Sequence, residues 1–152
     1  MNRDSQPART LEVGDCHQVE LPMRWGDADA LNHMNNTIYF RLMEEARIQI
    51  LYAAGLALPA DQGFILAHVS CDFLRAFTYP CTARVTHRVT RLGRSSVEHE
   101  LILEKVGDDT GPYARGRSVL VWMDFIANRS QPWPADVLAR LAGQFVPASA
   151  CR

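Results

Sequence analysis

Between Thr37 and Ala54 the chain carries its one long run of helical periodicity, and almost everything after it up to Ile126 reads as extended structure. Leu42, Met43, Ala46, Ile50 and Ala53 recur at the spacing of one helix face, Asn36 or Thr37 can cap the start, and Gly55 can end it. β-rich segments follow at 64–78, 81–92, 96–106 and 113–126, punctuated by Tyr79-Pro80, Gly93-Arg94 and the turn-rich stretch 107–112. Ahead of the helix, residues 16–25 alternate around Val19, Leu21 and Met23, and Pro22 suits an edge strand. The order is β-α-β-β-β-β. Four long strands with no helix between them are expected to form an antiparallel meander whose apolar face the lone helix must cover. The fold class predicted is therefore α+β, an antiparallel sheet wrapped around one long central helix. A short C-terminal helix follows over 135–144, entered through Pro132 and Pro134. Such a sheet keeps two edges, and pairing them with a second copy predicts a homodimer, with a homotetramer equally compatible.

A chain of 152 residues, 47% of them hydrophobic, buries one core, so a single domain is expected. Its predicted span is 15–147, between a loose N-terminal tail at 1–14 and a C-terminal tail at 148–152. Sixteen basic against seventeen acidic residues remove any general electrostatic reason to expect nucleic acid or a membrane surface as partner. No apolar run is long enough for a membrane span, and the N-terminal segment lacks a signal peptide's apolar centre. Cys16, Cys71, Cys81 and Cys151 show neither metal-ligand spacing nor a dense disulfide pattern, so all four are expected as reduced thiols in a cytoplasmic protein.

The chemistry is concentrated just before the helix. Asp27, Asp29, His33, Asn35 and Asn36 crowd the loop leading into it. A carboxylate at the mouth of an apolar cleft can activate water as a general base or attack a carbonyl directly. The alternative role for Asp29 is to hold the loop through an Asx turn. Asp27 is the weaker catalytic candidate and is expected to brace the loop or a dimer contact. Asn35, Asn36 and Thr37 bring free backbone N–H groups and the positive end of a helix dipole to the same place, suited to a developing oxyanion. Their side chains are expected to cap the helix. Elsewhere there is no nucleophile elbow, P-loop or dinucleotide fingerprint, and the five histidines form no H-x-x-x-H pair, so neither a metal nor a cofactor is expected.

Residues 24–47, RWGDADALNHMNNTIYFRLMEEAR, resemble the loop-helix motif of the hotdog-fold acyl-CoA thioesterases, specifically the 4-hydroxybenzoyl-CoA thioesterase-like family. The β-α-β-β-β-β order, the hairpin Gly93-Arg94-Ser95-Ser96 and the closing strand before Pro132 and Pro134 extend the resemblance over most of the chain. It implies a hotdog fold and hydrolysis of an acyl-CoA or acyl-carrier-protein thioester without cofactor. The family's catalytic aspartate falls on Asp29, its motif histidine on His33, and its oxyanion donor on the N–H of Asn36. Related enzymes place an asparagine two positions after the aspartate, where this chain has Leu31.

For substrate binding, the family's hairpin region points to Arg91 and Arg94 for the CoA phosphates, which need cations. Arg75, Arg115 and Arg117 are further arginines near predicted hairpin ends and a strand face. His68, sharing a strand face with Ser70, is a candidate near the acyl group, set against a histidine satisfied by neighbouring backbone. Two other readings are a hotdog-fold hydroxyacyl-thioester dehydratase, which the D-x-D and Asn-Asn context argues against, and a non-catalytic acyl-CoA-binding protein, which the retained Asp29 argues against. Acyl chain length, CoA against carrier protein, and base against nucleophile stay open.

Overall fold

A computed structural model of the protein describes residues 9–152. Its elements are β1 (Cys16–Pro22), α1 (Asn36–Ala53), β2 (Gln62–Phe73), β3 (Thr82–Leu92), β4 (Ser96–Lys105), β5 (Ala114–Asp124), the two-residue β6 (Arg129–Ser130) and α2 (Ala135–Ala142). Every strand pairing is antiparallel. The arrangement is the α+β hotdog fold, with the sheet wrapped around α1.

Helix α1 forms because its periodicity and its cap agree. Asn35 accepts a hydrogen bond from the Thr37 N–H at 2.9 Å, and Gly55 takes the left-handed conformation (φ +73°) just past the end. Tyr39, Leu42, Met43, Ala46 and Ile50 are its buried stripe. They meet the inward residues of the sheet, which alternate along β4 as Val97, His99, Leu101 and Leu103 and along β5 as Ala114, Ser118, Leu120 and Trp122. The other face is charged, with Glu98 paired to Arg117, and Glu100 paired to Arg115 at 2.8 Å.

The strand order corrects the predicted meander. β3, β4 and β5 are consecutive neighbours, but β2 pairs with β5 at the far edge, giving β1-β3-β4-β5-β2. Two local features account for it. At Gly116 of β5 a Cβ would collide with the Ser70 carbonyl of β2 and sit 3.1 Å from Met43 Cε, so the glycine is what lets β2 and α1 approach that strand. Beyond β2, the Leu74 and Arg75 N–H groups both donate to the Tyr113 carbonyl at 2.9 and 3.0 Å, and fully buried Phe77 stacks on Tyr113 with ring centroids 4.6 Å apart. The connection therefore crosses the end of the sheet under the start of α1 and delivers β3 to the side of β1.

Both predicted tails need correction. Residues 1–8 lie outside the described residues, but 9–14 are anchored. Arg9 donates to Asp15 at 2.7 Å and to the Ala142 and Phe145 carbonyls at 2.9 and 2.8 Å, while Leu11 is buried in the core formed with Ile50, Trp122 and α2. At the other end, Cys151 forms a disulfide with Cys16, so the expectation of four free thiols fails and only Cys71 and Cys81 are free. The two bonded cysteines are 135 residues apart, and no spacing rule in the sequence reveals a pair that only tertiary packing of the C-terminus on β1 brings together. No helix among the described residues is long and apolar enough to cross a membrane.

Candidate active site

The loop between β1 and α1 is held by the two carboxylates in different ways. Asp27, in a one-turn 3-10 helix over Trp25–Asp27, is only 4% exposed. Its Oδ2 accepts the Arg24 N–H at 2.8 Å and its Oδ1 the Arg24 guanidinium at 3.2 Å, while its carbonyl accepts the Asn35 N–H at 2.9 Å. Asp27 thus fixes the loop to the helix start, the bracing expected of it, with both carboxylate oxygens bonded to Arg24.

Asp29 is exposed, and only its Oδ1 is engaged, accepting the Leu31 and His33 N–H groups at 2.8 and 3.1 Å. This is the Asx turn anticipated for it. Asn32 takes the left-handed conformation that asparagine tolerates (φ 57°), letting the chain double back so that the Asp29 N–H donates to the His33 carbonyl at 2.8 Å. Oδ2 has no partner among the described residues. The turn orients the carboxylate and leaves one oxygen free.

Asp29, His33 and Asn36 line one cavity of about 380 Å³, together with Tyr39, Phe73 and Arg75. At its rim the helix start supplies the donor. Thr37 N–H goes to the Asn35 side chain and Ile38 N–H to the Asn35 carbonyl at 2.9 Å, whereas the Asn36 N–H donates to no described residue. A helix N-terminal N–H with no described partner, on a residue that lines the same cavity as an Asp29 whose Oδ2 is also unpartnered, suits a developing oxyanion and its proton acceptor. The cavity wall is aromatic. Tyr39 meets Phe73 edge to face at 4.8 Å, its hydroxyl donating to the Arg75 carbonyl at 3.3 Å, and burial raises its pKa.

The remaining predicted residues are elsewhere in the chain. His68 is exposed near the middle of β2, five positions before Phe73, or roughly 16 Å at strand spacing. Arg91 and Arg94 are at the β3–β4 hairpin, whereas the Asp29 loop sits by the opposite end of β3, where the Met23 N–H bonds the Cys81 carbonyl. The length of β3, roughly 33 Å, separates them. Both arginines lack a carboxylate partner among the described residues, unlike Arg115 and Arg117.

Sequence reasoning gave Arg75 no special weight. Its guanidinium bonds Thr110 at 2.8 Å and Asp108 at 3.1 Å and lies 4.3 Å from the centre of the Tyr113 ring. Hydrogen bonds from Thr110 and Tyr113, aided by Arg75, hold Asp108 well below the usual carboxylate range. Only the sheet-end crossing of residues 74–81 places Arg75 at this cavity, so no local pattern announces it. Tyr39 was findable, being one helical step before Leu42 and Met43.

A second cavity, also about 380 Å³, flanks α1 on the other side and is lined by Arg24, Asp27, Arg41 and Glu44, whose charges are paired with one another. Among the described residues no group of three His, Cys, Asp or Glu could hold a metal.

The comparisons converge. No functionally curated protein matches the chain in sequence. Among solved structures, a Pseudomonas aeruginosa protein provisionally named a thioesterase is 37% identical over 78% of this chain and 92% of its own, with a TM-score of 0.74. A Xanthomonas campestris protein provisionally named an acyl-CoA thioesterase is 31% identical over 70% of this chain and 92% of its own, with a TM-score of 0.65. A Staphylococcus aureus protein solved in complex with CoA shares the fold at 14% identity, covering 90% of this chain and 87% of its own, with a TM-score of 0.76. The family model of the thioesterase-like superfamily matches residues 23–141, from the last residues before the Asp29 loop to the last turn of α2, and the chain belongs to that superfamily, with thioester hydrolysis the general chemistry its relatives support.

Proposed function

We propose that the protein hydrolyses acyl-CoA thioesters to a free acid and CoA without a cofactor, with Asp29 as general base or nucleophile and the Asn36 N–H as oxyanion donor. The observation that supports this reading is that Asp29, with one carboxylate oxygen unpartnered, and Asn36, with its backbone N–H unpartnered among the described residues, line the same cavity. In the general-base route Asp29 takes a proton from water as its oxygen bonds to the carbonyl carbon. The carbonyl oxygen, now an anion, accepts from Asn36; collapse breaks the C–S bond, and the proton on Asp29 returns to the departing thiolate. In the nucleophilic route the Asp29 oxygen itself bonds to the carbon, expels the thiolate and forms an anhydride that water cleaves. His33, on the same cavity, orients the water or the carbonyl.

The active unit in this reading is a dimer formed through the β2 edge. β2 is a terminal strand, and Ile65, Leu66, Phe73 and Leu74 on or just after it are large apolar residues 39–52% exposed. A two-fold axis near the middle of β2, pairing it antiparallel with its copy, sets the start of one β2 beside the end of the other. The β3–β4 hairpin is at the same end of the sheet as the start of β2, with β5 between them, since Ser96 pairs Val121 and Leu66 pairs Leu120. Arg91 and Arg94 of one subunit would therefore approach the Asp29 cavity of the other, which accounts for their distance from Asp29 within one chain and for their free charges. The two central His68 side chains would flank the axis. The CoA complex of the S. aureus protein and the acyl-CoA name of the X. campestris one support CoA as the thiol, with acyl carrier protein as the other possible carrier.

The test is thiol release from a panel of short, medium, long and aromatic acyl-CoAs. Asp29→Asn is expected to lower turnover at least about a hundredfold with the fold retained, and Asp27→Asn to act mainly on thermal stability. Equal turnover for Asp29→Asn and wild type would remove Asp29 from the mechanism.

A further inference from the structure

Away from the Asp29 cavity, the second half of α1, the turn at 56–58 and the start of β2 enclose another pocket, of about 270 Å³. Its walls are apolar, with Leu51, Tyr52, Leu58, Phe64 and Leu66 the largest contributors, and Arg47 is the one charged residue among them. Arg47 follows Met43 by one helical turn and borders the buried stripe. Its guanidinium makes no ion pair or hydrogen bond with any described residue. Glu44, the nearest carboxylate along the helix, is bonded to Arg41 at 2.9 Å. Burial lowers the Arg47 pKa, with Glu44 opposing. Beneath the helix, within reach of its charge, lie His99 and His87, and the unpartnered atoms there include His99 Nδ1, both His87 nitrogens and Ser118 Oγ. Among the described residues no ion pair on that side balances the guanidinium. A half-buried cation with no ion-pair partner destabilises a fold.

The position of the pocket gives the cation a use. Phe64 and Leu66 line it, while Phe73 and Leu74 line the Asp29 cavity at the other end of β2. Within one subunit seven strand positions, roughly 23 Å, separate Leu66 from Phe73. Antiparallel pairing of two β2 edges brings the Arg47 pocket of one subunit against the Asp29 cavity of its partner. An acyl chain whose thioester sits at Asp29 would then run into apolar walls ending at a guanidinium.

We propose that this pocket receives the far end of the acyl chain and that Arg47 makes the protein selective for acyl thioesters whose chain ends in a carboxylate, the monothioesters of linear dicarboxylic acids. The inference rests on the thioesterase reading and on the β2-paired dimer. A terminal carboxylate supplies the missing anion and, with its two oxygens, matches the guanidinium in a forked pair. A methyl terminus in the same place leaves the cation desolvated and unpaired.

The test is kcat/KM for matched acyl-CoA pairs of increasing length, one member ending in methyl and the other in carboxylate, for wild type and Arg47→Met. Wild type is expected to favour the carboxylate-ended member by about tenfold or more at the best length, the size of a charge-assisted hydrogen bond. Arg47→Met is expected to lose or invert that ratio, the change falling mainly in KM. Wild type that hydrolyses both members equally, or favours the methyl-ended one, overturns the proposal and leaves thioester hydrolysis standing, as does an unchanged ratio in a folded Arg47→Met. Failure to hydrolyse any pair overturns both. A free monocarboxylic acid carries the same chemistry; if it inhibits wild type but not Arg47→Met while the substrate ratio stays near one, the pocket holds product and the substrate assignment is overturned.

Discussion

Asp27 and Asp29 are chemically identical and two positions apart, yet the backbone gives them different work. Asp27 spends both oxygens on Arg24, whereas Asp29 spends one on the turn and keeps the other for the cavity. A second case of environment overriding residue type is the row of histidines under α1. His17 faces His87 across β1 and β3, His99 faces Ser118 across β4 and β5, and His99 stacks on Phe145 with ring centroids 5.9 Å apart. Burial, with Arg47 nearby, pushes His99 down to about 4, and His87 is held well below its ordinary value by burial and by His99, His17 and Arg47; His17 is lowered by burial. In the unfolded chain these imidazoles protonate near pH 6.5. The folded state therefore binds fewer protons, and the stability of the neutral row is complete above about pH 6.5 and lost as pH falls towards 4. His99 alone accounts for about 3 kcal/mol across that window. Melting temperature followed from pH 7.5 to 4.5 should fall steeply below 6.5, and His99→Phe should flatten the slope; identical slopes would mean the row does not govern acid stability.

At the scale of elements, the helix and most strands came out within a few residues of their sequence-based bounds, because periodicity and turn chemistry are local; the strand expected to run to 78 ends at Phe73, where the chain turns into the crossing. Connections did not. β2 left the meander for the far edge once Gly116 and the crossing at 74–81 are taken into account, and the C-terminal segment became a clamp on β1. Val146 and Cys16 exchange backbone hydrogen bonds at 2.8 and 3.0 Å, the Gln18 side chain donates to the Arg152 carbonyl, and the Cys16–Cys151 disulfide closes the arrangement. Crosslinking so long a loop restricts the unfolded chain strongly, so Cys151→Ser should lower unfolding free energy by about 2–5 kcal/mol in chemical denaturation. Treatment of wild type with reductant should reproduce the loss, and an unchanged midpoint in both would show that the clamp contributes nothing.

Taken whole, the chain exposes large apolar side chains along one edge of its sheet. Its terminal strand carries exposed Ile65, Leu66 and Phe73, and Tyr52 of α1 and Leu58 beside it are 61% and 47% exposed. Candidate substrate-binding residues also fall at the wrong end of the sheet for their own Asp29. The proposed two-fold axis at β2 would meet both observations. Sedimentation at micromolar protein, run beside the thiol-release assay, should find activity only in a dimer or a higher state. A fully active monomer would rule out the shared site and, with it, any role for Arg47, Arg91 or Arg94 at a partner's thioester.

What the sequence determined alone is what short-range physics controls: the capped helix, the alternating strands, the α+β class, and the clustering of Asp29, His33 and Asn36 within one turn and the helix it enters. The resemblance of that loop to a thioesterase motif came from the same few residues, so the candidate active site was legible with the fold. What only tertiary structure decided depends on chain segments far apart in sequence. The edge position of β2, the arrival of Arg75 at the cavity and the pairing of Cys16 with Cys151 belong here. So do the isolation of Arg47 and the burial of His87 and His99. Hydrogen bonding, desolvation and charge pairing at these residues are set by neighbours many positions away, and no window along the chain contains both partners.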